Sequence, residues 1–327
     1  MRLLKENYKG LKKLYKLPQY FKDFLSRADV QEALKNSDFE SLYSKSYRGA
    51  SKITELLNTL GIDPLNYLNH IPDNFLSHTQ IKSITIPDHI KSIGDYAFYD
   101  CSDLTSVTIP DNVRSIGDAA FRDCKDLKSV VLPNSLEIID RYAFYSCRNL
   151  ENLSIPPSVV TIRDNAFGYC TNLTQVIIPD NVKNIGESIF GYCGLLSNVK
   201  IGKGITKLST RMFINCTSLK NITIPNHIIV IGAYSFDYCS GLSDIIIPNK
   251  VTDIEEGAFF GCESLVHISI PNSVINLGDY VFHSCINLTD VNYDGTKENW
   301  EKINKSYYWD SHSSIKTIHC TDGDIEL

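Results

Sequence analysis

The sequence predicts a solenoid of about nine to ten stacked coils. Each coil gives one short strand to a parallel β-sheet and returns through an irregular or short helical connection, and an α-helical cap covers the N-terminal end. Three observations predict this. Cys101, Cys124, Cys147, Cys170, Cys193, Cys216, Cys239, Cys262 and Cys285 follow one another at a constant interval of 23 residues, with only Cys320 outside the series. A phenylalanine stands three residues before each of them, from Phe98 to Phe282, and a leucine three residues after, from Leu104 to Leu288. Beyond each leucine, apolar and polar residues alternate, as Val107 and Ile109 do with Ser106 and Thr108. That is the period of a strand with one face buried.

The elements follow in chain order. Residues 1–70 carry no repeat and read as a helical N-terminal cap, because a solenoid needs atypical units over its terminal core. Phe21, Phe24, Leu25, Val30 and Leu34, then Ile53, Leu56, Leu57 and Leu60, recur at helical spacing, and Gly61 supplies a stop. Residues 71–290 are the repeats. In the first, degenerate coil Phe75 takes the phenylalanine column and His78 stands where cysteine should be. In a regular coil the strand ends at a proline such as Pro110, which has no N–H for the ladder. The chain then turns at a glycine such as Gly117 and tucks Phe121 and Cys124 inward. Gly202 replaces the strand-ending proline, while Asp140, Arg163, Ser209 and Glu255 replace the turn glycine, so the coil at Gly202 is the expected place for an irregularity. Residues 291–327 form a C-terminal cap in which Trp300 and Trp309 cover the last coil or, alternatively, make a terminal aromatic binding patch.

The pattern IPxxVxxIGxxAFxxCxxLxxVxIP, running over about residues 71–327, resembles the BspA-like leucine-rich repeats of bacteria, some protists and phages. The resemblance implies a non-enzymatic binding module, often a cell-surface adhesin. The closing segment VNYDGTKENWEKI with IHCTDGDIEL is similar to C-terminal caps of bacterial members, which favours a bacterial or phage source.

Chemistry is not expected. The sequence has no G-x-S-x-G, H-E-x-x-H, G-x-x-x-x-G-K or G-x-G-x-x-G stretch. A regular coil also repeats one side-chain environment, whereas a catalytic site needs different groups converging in a cleft. The column cysteines lack C-x-x-C spacing and read as buried thiols, each a small hydrophobe, so no cofactor or metal is expected. The eight histidines fall in different phases of the repeat. A net charge of −6 and the lack of an arginine-rich groove argue against nucleic acid.

No apolar run reaches the roughly 18 residues of a membrane span, and MRLLKENYKGLKKLYK lacks the apolar stretch of a secretory signal. The expected location is therefore cytoplasmic or virion-associated, with the cell surface reached only by a non-classical route. Residues 1–16 hold Arg2, Lys5, Lys9, Lys12, Lys13 and Lys16 against Glu6. They read as a solvated first helix or as a basic helix in weak contact with a membrane surface.

Two surfaces compete for a protein or glycan partner. One is the exposed strand face, with Ser106, Ser129, Asn152, Gln175, Asn198, Asn221 and Asp244 in one outward column and Thr108, Val131, Ser154, Ile177, Lys200, Thr223 and Ile246 in the other. It is broad, rigid and poor in the aromatics and arginines that make hot spots. The other is a tyrosine ridge on the connecting side, where Tyr96, Tyr142, Tyr234 and Tyr280 share one phase, with Tyr99 and Tyr145, and Tyr169, Tyr192 and Tyr238, in two more. Those rings either form a sticky ridge or shield the gaps between coils. The expected function is macromolecular interaction or attachment; the alternative is a structural part of a phage particle or cell envelope, in which the repeats act as a rigid spacer.

Overall fold

The computed structural model describes residues 26–36, 38–44, 50–59 and 63–327, with isolated positions 19 and 23. Residues 1–16, Phe21, Phe24, Leu25, Leu60 and Gly61 lie outside the described residues. Three helices cover the N-terminal end: α1 (Ala28–Asn36), α2 (Phe39–Ser44) and α3 (Ala50–Thr59). Val30, Leu34, Ile53, Leu56 and Leu57 are buried as their helical spacing requires, together with Phe39 and Leu42.

The coils pair in register at the sequence period. Ser106 lies opposite Ser129 and Gln175 opposite Asn198, each in a parallel three-residue strand. The expectation of one strand per coil is corrected. A second ladder of two-residue strands runs through Ser92–Ile93, Ser115–Ile116, Ile138–Ile139, Thr161–Ile162 and Asn184–Ile185, again at the same offset. The inward position of that segment is isoleucine from Ile93 to Ile185 and leucine at Leu208 and Leu277, and its neighbours bond to the coils on either side.

The third side is not helical. Each coil there places two residues in the left-handed region, one two residues before the phenylalanine and one two residues after, as at Tyr96 (φ 55°) and Asp100 (φ 54°). This turns three N–H groups of each coil toward the next. Tyr96, Phe98 and Asp100 donate to the carbonyls of Asp118, Ala120 and Arg122 at 2.7–2.8 Å. Tyr142, Phe144 and Ser146 repeat the arrangement one period and a second further on. A left-handed L-residue is strained by roughly 1–2 kcal/mol; the three inter-coil hydrogen bonds, largely shielded from water, offset it. The repeat glycine does a different job from the one expected. Gly117 is not left-handed, but a Cβ on it would lie 2.7 Å from the Gly94 carbonyl carbon, so glycine lets successive coils approach.

Inside, the rings from Phe98 to Phe282 stack in a continuous column with centroids 4.9–6.1 Å apart and planes within 20°. The widest step, 6.1 Å, is Phe190 to Phe213. Both ladders break over the same stretch. The two-residue ladder ends at Asn184–Ile185 and restarts at Lys207–Leu208, and the three-residue ladder ends at Asn198–Lys200 and restarts at Asp244–Ile246. This is the irregularity expected at Gly202.

The first coil carries a register correction. Leu76, not Phe75, donates to the equivalent carbonyl of Ala97, and His78 occupies the left-handed position. The cysteine slot therefore belongs to Thr79, while the Phe75 ring still closes the aromatic column, 6.4 Å from Phe98. One residue fewer in this coil shifts the backbone but leaves the ring its place. The outward carbonyl of Phe75 would begin the third-side ladder unpaired. The Thr54 hydroxyl of α3 donates to it at 2.9 Å, with the Tyr43 hydroxyl 2.7 Å from the Thr54 oxygen. At the other end helix α4 (Lys297–Lys302) buries Trp300 against Trp309, with ring centroids 5.6 Å apart, and Trp309 closes on Phe282.

Candidate binding surfaces

On the strand face, all fourteen residues of the two outward columns, from Ser106 and Thr108 to Asp244 and Ile246, are exposed, while Val107, Val130, Val176 and Ile245 between them are buried. Alternation along each strand produces this directly. Val131, Ile177 and Ile246 stand 56–69% exposed in a single column, separated by Ser154, Lys200 and Thr223. Asn221 and Thr223 sit at the ladder break, in no regular strand, so the sheet is locally discontinuous there.

On the third side, Tyr96, Tyr142, Tyr234 and Tyr280 all occupy the left-handed position before the phenylalanine, and Tyr169, Tyr192 and Tyr238 the one after it. The rings join across phases into rows. Tyr142 meets Tyr145 at 5.4 Å, Tyr145 meets Tyr169 at 5.2 Å and Tyr169 stacks on Tyr192 at 4.3 Å; Phe260 then stacks on His283 at 4.4 Å. Rings lean toward the C-terminal neighbour: a Cβ on Gly257 would meet the Tyr234 ring at 2.3 Å and one on Gly261 the Tyr238 ring at 2.9 Å. Several tyrosines thus cover the gap between coils, as one of the two readings had it. Tyr96, Tyr192 and Tyr238 remain 38–46% exposed.

Sequence reasoning missed the other members of these rows. Arg122 lies over Tyr99, Tyr142 and Tyr145 at 5.1–5.8 Å, and Arg211 over Tyr234 at 5.3 Å. His78, His283 and His312, dispersed in phase, all end in ring contacts, because their coils are shorter or longer than the period or carry histidine in the ring column. The column itself was the available signal: the residue after each phenylalanine reads Tyr99, Arg122, Tyr145, Gly168, Gly191, Ile214, Asp237, Phe260 and His283.

Asp237 breaks that row. It is 8% exposed, and its Oδ1 has no hydrogen-bond partner. Burial pushes its carboxyl up to about 6, with Arg211 opposing the shift. A folded-state value above the unfolded one means that the contribution to stability is present below about pH 4 and lost as pH rises through about 6. Asp237→Asn is expected to stabilise the protein at pH 7 by about 1–2 kcal/mol, allowing for solvent screening, and by less at pH 4. Urea midpoints at the two pH values check this; equal midpoints for the two proteins at pH 7 would refute it.

The cysteine column is buried with free thiols, as expected, but each thiol is more than a small hydrophobe. Cys124 Sγ donates to the Phe98 carbonyl at 3.1 Å, and Cys147 to Cys285 repeat the bond to the phenylalanine of the preceding coil. Burial pushes the thiols up, Cys193 and Cys285 to about 12, so they stay protonated at neutral pH. Among the described residues there is no group of three or more His, Cys, Asp and Glu side chains arranged to hold a metal, and no helix long and apolar enough to cross a membrane.

A family model described as a BspA type leucine rich repeat region matches the chain in six copies, over residues 25–105, 69–195 and 206–325. The chain is similar to a leucine-rich repeat protein from Bacteroides ovatus at 28% identity and a TM-score of 0.54, covering 64% of this chain and 63% of that one. It is similar to another from Eubacterium ventriosum at 25% identity and a TM-score of 0.51, covering 68% of this chain and 63% of that one. The match thus spans less than two thirds of either relative. No curated protein matches the chain.

Proposed function

The chain belongs to the BspA-type leucine-rich-repeat family, and from that premise we propose that it is a non-catalytic solenoid that binds a protein or glycan partner through its strand face, mediating attachment or assembly. One observation carries the reading: two outward columns, side by side and exposed on a rigid sheet, with Val131, Ile177 and Ile246 standing out of an otherwise polar surface. A preformed flat face loses little ordering entropy on association, and isolated apolar side chains on it supply desolvation energy without the large patch that drives aggregation. A partner here spans several coils and makes many modest contacts.

The test is Thr108→Arg with Ile177→Arg. Both side chains point to solvent, so the melting temperature is expected to stay within a few degrees of the parent. Capture of the partner from lysate and cell-surface fractions is expected to fall at least tenfold. Equal capture by parent and variant would remove the strand face from the reading and leave the repeats as a rigid spacer between contacts made by the caps.

A further inference from the structure

One joint between successive coils is built unlike the rest. From Lys91 to Ser306 every coil but one is tied to its predecessor by two backbone hydrogen bonds on the second-ladder side, as when Lys183 and Gly186 donate to Val160 and Ile162 at 2.9 and 2.8 Å. Thr206 and Ser209, their equivalents in the next coil, donate to neither Lys183 nor Ile185. On the strand face Asn221 pairs with neither Asn198 nor Asp244. The coils of Phe190 and Phe213 are therefore the one described pair joined by neither ladder. A side-chain tie is missing as well. Gly204 stands where Asn112 and Asn181 donate to the carbonyls of Asp88 and Pro157 in the coil before, at 2.6 and 2.7 Å.

The core shows the same opening. Ile185 and Val199, the inward residues of the Phe190 coil on its two ladder sides, are partly exposed, whereas Ile93, Ile116, Val107 and Val176 at the same positions elsewhere are at most 3% exposed. The Phe190 to Phe213 step is the widest in the ring column. The Ser209 hydroxyl is buried without a partner, and an open cavity of about 460 Å3 lies between Asn184, Ile185 and Glu187 on one lip and Gly204, Thr206 and Ser209 on the other. The third side, by contrast, is intact. Ser188, Phe190 and Tyr192 donate to Thr210, Met212 and Ile214 at 2.7–3.1 Å, and in the adjoining turn the Ser218 N–H donates to the Gly194 carbonyl at 3.1 Å. Away from that side and turn, one hydrogen bond crosses the joint among the described residues, from the Lys203 N–H to the Asp180 carboxylate at 3.0 Å.

Bonds along one side of a stack and none in the ladders of the other two make a hinge line, because opening those two sides breaks no backbone hydrogen bond. We infer that the solenoid is articulated here: residues 71–201 and 202–327 are two stiff arms that flex about the third-side ladder, opening and closing the two sides that carry no ladder. Closure has a stop. A Cβ on Gly202 would lie 2.4 Å from the Pro179 carbonyl oxygen and one on Gly204 2.1 Å from that of Val182, so the backbones already touch there. Flexing bends the strand face in its middle and changes the separation of Ile177 from Ile246, while each arm keeps its own spacing. The inference rests on no reading of what that face binds.

Two measurements on the full chain test it. The first places spin labels on introduced cysteines in a Cys320→Ser background, where the remaining thiols, from Cys101 to Cys285, are buried. Ser83→Cys with Asn198→Cys lies within one arm, and Asn152→Cys with His267→Cys spans the joint; both pairs are 115 residues apart, five repeats of 23, and all four positions are exposed. At about 4.8 Å per coil each pair is separated by roughly 24 Å. The distance distribution measured by electron–electron double resonance is expected to be at least twice as wide across the joint as within the arm. The second is hydrogen exchange. Thr206 and Ser209 are expected to exchange at least tenfold faster than Lys183 and Gly186, their equivalents one coil earlier, while Ser188, Phe190 and Tyr192 exchange no faster than Asn165, Phe167 and Tyr169. Equally narrow distributions for the two pairs would overturn the articulation, as would equal protection of Thr206 and Lys183. Loss of protection along the third side would overturn it too, because the coils would then part there instead of hinging.

Discussion

Phe144→Ala is expected to destabilise the solenoid by about 3–5 kcal/mol. The ring is fully buried, parallel to Phe121 at 5.2 Å on one side and to Phe167 at 5.5 Å on the other. Truncation removes two stacking contacts, each worth roughly 0.5–1.5 kcal/mol beyond the area buried. It also leaves a hole that stiff inter-coil hydrogen bonding on three sides keeps from closing. Urea denaturation reads the loss, and hydrogen exchange should place it in the coils on either side, since a solenoid's contacts are between neighbours. A change below about 1 kcal/mol would mean that the column is not the core it looks to be.

Gly204→Ala is the second large effect. A Cβ there would lie 2.1 Å from the Val182 carbonyl oxygen and 2.6 Å from that of Asp180, both backbone atoms that cannot swing aside. The coil at the ladder break would have to separate from its predecessor, and a loss of about 2–3 kcal/mol is expected. Gly194→Ala provides the contrast. Its Cβ would meet only Thr217 Oγ1, at 3.8 Å, and its φ is not left-handed. That substitution is expected to be neutral or to stabilise by up to about 1 kcal/mol, by restricting the unfolded chain. Thermal melts of the two variants should therefore move apart; equal destabilisation would contradict the close approach at Gly204.

The period was legible because one number governs the contacts between the coils that carry Phe98 to Phe282, the first and last coils excepted. Once Cys101 and Cys124 set the interval, the pairing of Ser106 with Ser129 follows, and so does the exposure of both strand-face columns. The second ladder was not legible, since a two-residue strand such as Ser115–Ile116 is too short to show alternation. The left-handed positions were hidden for another reason. They are filled by tyrosine, serine, asparagine, aspartate and even Arg211, and only Gly257 with Gly261 carries the residue that ordinarily marks such a backbone. Tertiary hydrogen bonding, not local preference, decides those angles. The tyrosines are legible as phases of the repeat, but the arginines and histidines that touch their rings are brought to them only when the coils are stacked.

The third-side ladder gives the molecule a direction. From Asn74, Leu76 and His78 to Gly257, Phe259 and Gly261, three N–H groups per coil face the C-terminal end and their acceptor carbonyls face the other, and Tyr280 and Phe282 continue the ladder with two. Ordinary parallel strands alternate and cancel; this side does not, so its peptide dipoles add as they do in a helix. The backbone of this ladder is therefore polarised from one end to the other. A donor must finish one end, which is what Thr54 does for Phe75, and an acceptor suits the other. A coil inserted anywhere in the middle inherits the same polarity without any change to either cap.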